Sequence, residues 1–308
     1  MKGWNKRIWF GLLFMLIGIN EMTGCTNNTG GQKEFENTDK IAIVTTIYPM
    51  YDFTSHIAGD QAEIINLVPA GTEPHDFELS TGDMKLLEKA DVFIYNGAGM
   101  EHFVDKTLEA LSNDNLIVVE AAEKIKTLES EDGTDPHTWL SVQNAMTEAE
   151  TIKDALVKAD AAHADYYEAN YQEYRIQLEK LDEAYRRELT DLDTNVIVVA
   201  HEAFGYLCEA YGLQQEAVEG LNADSEPDSA RMKEIIDFCK ENKVKVIFFE
   251  ELVSPKVART IADEVNARTA VLNPVEGLTA EQETRNLDYI GLMEENLVEL
   301  KKALKEGE

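Results

Sequence analysis

Basic residues are in short supply. Lysine and arginine number 28 against 59 aspartates and glutamates, a formal charge of −31 over 308 residues. A chain this acidic does not seek nucleic acid or anionic lipid head groups. Cysteine is scarcer still, at three. Cys25 stands near the N-terminus, while Cys208 and Cys239 fall in separate helical patterns, AFGYLCEAYG and MKEIIDFCKEN. That spacing excludes a zinc knuckle and leaves open whether the two thiols pair or stay free. Past the first 25 residues no apolar run approaches the length of a membrane span. Histidine is rare too, at six, and where those six fall carries most of the information.

The N-terminus is built differently. MKGWNKR supplies Lys2, Lys6 and Arg7, and the apolar run IWFGLLFMLIGI follows from Ile8 to Ile19. It is short for a membrane span and right for a signal-peptide core. It ends in MTGC, Met22 to Cys25, which resembles a bacterial lipobox. Residues 1–24 then form a lipoprotein signal peptide, and Cys25 becomes the lipidated first residue of the mature chain. The polar stretch TNNTGGQKEFENTDK completes a flexible tether over 25–40. The body is therefore expected on the extracytoplasmic face of the cell membrane, held there by lipid.

The remaining length suits two medium domains. Apolar runs bounded by turn signals predict buried strands at 41–46, 62–68, 91–96 and 116–121, with helical patterns between them. After Asp191 the pattern restarts, with strands at 195–200, 214–220, 244–250 and 269–274. Strands alternating with helices imply parallel sheets of βαβ units. The fold class is thus α/β, with a mainly parallel sheet flanked by helices in each of two lobes, 41–160 and 193–308. Between them, 161–192 contains no glycine or proline. Tyr167, Tyr171, Tyr174, Leu178, Leu181, Tyr185 and Leu189 recur there at helical spacing. One long rigid helix, a rod of roughly 45–50 Å, is expected to join the lobes and to limit their swing.

Two tracts repeat. GTEPHDFELS (Gly71 to Ser80) and GTDPHTWLSV (Gly133 to Val142) each set a histidine behind a proline. Proline restricts the backbone on both of its sides, so less entropy is lost when the imidazole is fixed on a ligand. His75 and His137 lie in loops after strands, and His201 directly follows NVIVVA. In open α/β sheets ligands bind outside the carboxyl ends of the strands. Three imidazoles from two lobes at such ends point to a metal site. A fourth ligand is available from Glu276 in VLNPVEGLT, or by the same reasoning from Glu250 or Glu251. His56, His102 and His163 sit inside helical patterns and read as surface or packing residues.

These motifs carry a resemblance. VTTIYPMYDFTSHIAGD, VPAGTEPHDFELS, DPHTWLS, VVAHEAFGYL and VKVIFFEELVSPKVARTIADE resemble the metal-binding lipoproteins of bacterial ABC importers, the zinc and manganese class of solute-binding proteins. The likeness runs from Ile41 to the C-terminus. It implies one metal ion held between two lobes by His75, His137, His201 and Glu276, and it is the likeness alone that prefers Glu276 over Glu250 and Glu251. Manganese members typically place a glutamate where His201 stands. Three imidazoles and one carboxylate suit Zn2+ better than Mn2+. The interval KIKTLESEDGTD lacks the histidine-rich loop that many zinc members carry there. The resemblance further implies a monomer that delivers Zn2+ to a cognate ABC permease, with no chemical step. The alternatives are a manganese receptor of the same class, a zinc hydrolase with Glu202 as its general base, and a surface adhesin.

Overall fold

Alternation within the strands explains the layering. The first sheet is built from β1 (Ile41–Thr45), β2 (Ala62–Asn66), β3 (Val92–Tyr95) and β4 (Ile117–Glu120). The second is built from β7 (Val196–Val199), β8 (Gln214–Ala217), β9 (Val246–Phe249) and β10 (Arg268–Val271). Between them in sequence, β5 (Leu128–Ser130) and β6 (Gly133–Asp135) form a two-stranded antiparallel ladder. Ile43, Val92, Ile94, Ile197, Val199 and Phe248 face one shared interior. Their neighbours Val44 and Phe93, and Val198 and Ile247, face two separate outer clusters. This period of two is what a strand buried on both faces requires.

In this computed structural model, which describes residues 34–36, 39–130, 132–222 and 227–305, every pairing in the two larger sheets is parallel. The strand orders are β2-β1-β3-β4 and β10-β9-β7-β8. The wiring is the same in each: the second strand lies on one side of the first, and the third and fourth lie on the other. The expected strands are all present, and each ends short of its predicted last residue. The expected signal peptide and Cys25 lie outside the described residues.

The helices are α1 (Tyr48–Ala58), α2 (Thr81–Leu87), α3 (Val104–Ala110), α4 (Val142–Ala159), α5 (Ala164–Glu188), α6 (Gly205–Tyr211), α7 (Ser229–Glu241), α8 (Lys256–Val265), α9 (Ala280–Thr284) and α10 (Tyr289–Leu304). Leu86, Leu87 and Val104, from α2 and α3, belong to the outer cluster of the first sheet. Ile235, Cys239, Ala258 and Ile261, from α7 and α8, belong to that of the second. The shared interior takes α1, α4, α5 and α10.

The run expected to be helical over 161–192 is helical over 164–188, preceded by a 3-10 turn at Ala161–His163. At about 1.5 Å per residue it spans about 37 Å, less than the sequence suggested. Its predicted apolar stripe is buried throughout. Two tyrosine hydroxyls of that stripe tie it to other helices: Tyr174 donates to Asp52 of α1 at 3.1 Å, and Tyr185 donates to the carbonyl of Met293 of α10 at 2.6 Å. The helix is therefore packed against elements of both lobes. Cys208 and Cys239 are free and buried. Among the described residues no helix is long and apolar enough to cross a membrane.

Candidate metal centre

Each predicted ligand leaves the carboxyl side of a strand by a pinned route. After β2 the chain turns at Gly71, whose φ of +78° only glycine adopts freely. The Gly71 N–H donates to the carbonyl of Leu278 in the second lobe at 2.8 Å, and His75 follows. After β6 comes His137, and Asn96 Nδ2 donates to the carbonyl of Pro136 at 2.9 Å. The Thr138 hydroxyl reaches Glu148 Oε1 at 2.6 Å. His201 lies just beyond β7. Glu276 lies beyond β10, after Val275, a fully buried β-branched residue held at a φ of +61°. Such a valine is strained. The turn is held by Asn273 Oδ1, which accepts from the Val275 N–H at 2.6 Å, and by the Pro274 carbonyl, which accepts from Trp139 Nε1 at 2.7 Å.

The four side chains meet. One donor atom from each of His75, His137, His201 and Glu276 lies within 4.8 Å of all the others. His137 and His201 are fully buried, and Glu276 is 1% exposed. His137 Nε2 stands 3.2 Å from His75 Nε2 and 3.3 Å from His201 Nε2. Glu276 Oε1 stands 2.9 Å from His137 Nε2 and 3.5 Å from the Nε2 of both His75 and His201. A tetrahedron of ligands around zinc, with bonds near 2.0 Å, has edges of about 3.3 Å. Five of the six donor separations, between 2.9 and 3.5 Å, fall around that spacing.

Hydrogen bonding fixes which ring nitrogens face inward. His137 Nδ1 pairs with Asp135 Oδ1 at 2.8 Å, and His201 Nδ1 pairs with Glu250 Oε1 at 2.6 Å. In the neutral rings these nitrogens donate, so both Nε2 atoms present lone pairs. Lone pairs facing each other at 3.3 Å repel unless a proton or a cation lies between them. Glu276 Oε1 is buried with no hydrogen-bond donor among the described residues, an orphan that a cation would satisfy.

The electrostatics agree. Burial works against a charged ring at His137, yet the hydrogen bonds and charges of Asp135 and Glu276 outweigh it and raise the pKa. At His201 burial is likewise overcome by Glu250 and Glu276, which hold the ring well above its ordinary range. Burial alone would raise Glu276, but the three imidazoles hold its carboxyl well below the usual carboxylate range. The pocket stabilises positive charge at its centre.

Glu250 and Glu251, the rival fourth ligands, take other partners. Glu250 orients His201, and Glu251 Oε2 accepts from Asn273 Nδ2 at 2.9 Å and from Gln282 Nε2. Glu202 is not in the donor cluster. Of the other histidines, His56 stacks on Tyr174 with centroids 4.3 Å apart, His163 pairs with Asp160 at 2.6 Å, and His102 is exposed. Sequence reasoning missed Asp135 as the partner of His137. The signal was present in the acid-Pro-His pattern itself.

Comparison with known proteins bears on this geometry. The family described as "ZnuA: Zinc-uptake complex component A periplasmic" matches residues 43–303. The chain belongs to the ZnuA family. Among ZnuA relatives it is similar to the high-affinity zinc uptake system protein ZnuA of Bacillus subtilis, at 36% identity over 96% of this chain and 98% of that one. It is 37% identical to the zinc-binding lipoprotein AdcA of Streptococcus pneumoniae over 91% of its own length, and there it spans 58% of the relative. The crystal structure of the Zn(II)-bound ZnuA-like domain of that AdcA superposes with a TM-score of 0.79 at 38% identity, covering 87% of this chain and 100% of that one. The ZnuA likeness thus spans both sheets and all four candidate ligands.

Proposed function

We propose that the chain is the extracytoplasmic solute-binding component of an ABC importer, and that it captures Zn2+ with His75, His137, His201 and Glu276. The observation that carries this is the closed set of four donors within 4.8 Å of one another, with two rings fixed so that their lone pairs converge. Zinc has no geometric preference beyond this arrangement, whereas manganese favours more oxygen donors and a higher coordination number. Four protein donors also leave no open position for a metal-bound water, which a hydrolase would need. The zinc named in the relatives' descriptions points the same way.

In this reading residues 41–160 and 193–308 are the two lobes, and 161–192 is the link. Residues 1–24 are removed as a signal, Cys25 carries the lipid, and 25–40 tethers the monomer near its permease. The purified mature chain is expected to retain one equivalent of zinc after dialysis against mixed Zn2+ and Mn2+. A deletion strain is expected to grow poorly in zinc-depleted medium. Retention of manganese in preference to zinc would overturn the metal assignment. A Cys25→Ser variant found unchanged in the membrane fraction would overturn the anchor.

A further inference from the structure

The β5–β6 hairpin belongs by sequence to the first lobe, but the second lobe holds it. The Tyr206 hydroxyl, on α6, donates to the Asp135 carbonyl at 2.8 Å and accepts from the Leu128 N–H at 3.0 Å. Leu128 and Asp135 are partners in the ladder, so one hydroxyl grips both strands at the same rung. Burial pushes the phenol up to about 12, and the hydroxyl keeps its proton to donate.

The surface of the second lobe is cut back to receive the hairpin. A Cβ at Gly205 would meet Asp135 Oδ2 at 2.6 Å, and one at Gly220 would meet Asp132 Oδ2 at 1.8 Å. Neither glycine has a positive φ, so what these positions require is space rather than an unusual turn. Strands this short do not hold their register alone in water. The carboxylate at the end of the ladder is the one that orients His137: Asp135 Oδ1 accepts from the His137 N–H at 3.0 Å and pairs with its Nδ1.

We infer that Tyr206 is a positioning residue for the metal centre, a strap from the second lobe that keeps Asp135 against His137 through the hairpin. The inference rests on the function proposed above. Its consequence is mechanical: when the second lobe moves away, the hairpin loses its grip, His137 loses the group that aims it, and the ion is released.

The test is zinc release from the loaded chain, followed by chelator competition in a stopped-flow instrument. Tyr206→Phe deletes only the hydroxyl. It is expected to speed release at least about tenfold, on the scale of two buried hydrogen bonds left unmade, with the association rate unchanged. Asp135→Asn is expected to speed it by about 10- to 100-fold. Because both act on one ring, the double variant should be no faster than Asp135→Asn alone. Gly205→Ala keeps the hydroxyl but crowds Asp135 Oδ2. Its Cβ cannot fit without displacing Asp135, so zinc release should accelerate, and adding Asp135→Asn should speed it no further, whereas a purely structural defect would add. The Co2+ absorption bands of Tyr206→Phe should differ in shape from those of the parent. If the parent binds zinc but Tyr206→Phe and Gly205→Ala release it at the parental rate, or if the effects of Tyr206→Phe and Asp135→Asn simply add, the strap is overturned and the proposed function stands. A parent that binds no zinc overturns both.

Discussion

The tracts GTEPH and GTDPH differ by a single methylene, yet the chain uses them differently. The first stays a loop. Glu73 reaches only the backbone N–H of His75, at 3.3 Å, and the His75 side chain keeps 7% of its surface exposed. The second is drawn into β6, where Asp135 is 4% exposed and holds both the backbone and the ring of His137. The shorter acid fits against its own imidazole, and β5 with Tyr206 keeps it there. Local sequence sets the turn in both tracts, and the tertiary partner decides how firmly each imidazole is aimed.

Substitutions of the ligands give the largest effects. His137→Ala is expected to weaken zinc binding by about 100- to 1000-fold, one ligand's share of a four-ligand site worth roughly 10–16 kcal/mol. His75→Ala should lose less, because its ring is less buried and less firmly held. Titration against a competing chromophoric chelator measures both, and equal losses would break the comparison. Next come the acids. Asp135→Asn should weaken binding by about 10- to 100-fold, and Glu73→Gln by less than about threefold. If Glu73→Gln matches Asp135→Asn, the two tracts act alike after all.

A third substitution asks whether aimed imidazoles set the choice of metal. His201 is held by Glu250 as His137 is held by Asp135. His201→Glu replaces a nitrogen with a harder oxygen donor, and the zinc-to-manganese affinity ratio should fall about tenfold even if zinc still binds more tightly. Competitive titration of both ions reads this directly; an unchanged ratio would remove His201 from the ligand set.

The last effect, on stability rather than binding, belongs to a histidine in neither tract. Burial disfavours the charged form of His56, but Asp52 and Asp288 outweigh it and raise its pKa from 6.5 to about 9. The folded state therefore holds this proton more tightly than the unfolded one. The stability it contributes is complete below about pH 6.5 and is lost as pH rises through about 9. Metal-free parent protein should lose on the order of 1 kcal/mol over that window that His56→Gln does not lose. Thermal melts of both proteins from pH 6 to 9.5 decide it; parallel curves would show that folding does not raise the His56 pKa.

Much of this was legible. The inner strands such as β3, β7 and β9 were legible because burial on both faces leaves an apolar run, whereas the edge strand β8, QQEA, was placed by the alternation of strands and helices around it. The proline-histidine tracts pointed to two of the imidazoles that meet in the donor cluster, because chemistry and stiffness lie next to each other in the chain. The hairpin was not legible. LES and GTD show no apolar alternation, and they pair only because Tyr206 and two glycines of the other lobe receive them. Glu250 was read as a competing ligand, since its place at the end of β9 does not say which way it turns. Only the packing of β9 beside β7 shows that it serves His201 instead.

Trp139 is the only tryptophan among the described residues; the other two in the chain, Trp4 and Trp9, lie within the expected signal segment. Its indole is fully buried, with its ring centroid 5.5 Å from that of His137 and its N–H bonded to Pro274 in the other lobe. A protonated imidazole quenches indole emission, and a neutral one bound to metal does so much less. The folded body therefore carries a built-in optical probe at the seam of its lobes. Its brightness reports whether the centre holds protons or an ion, and its wavelength reports whether the seam has let in water.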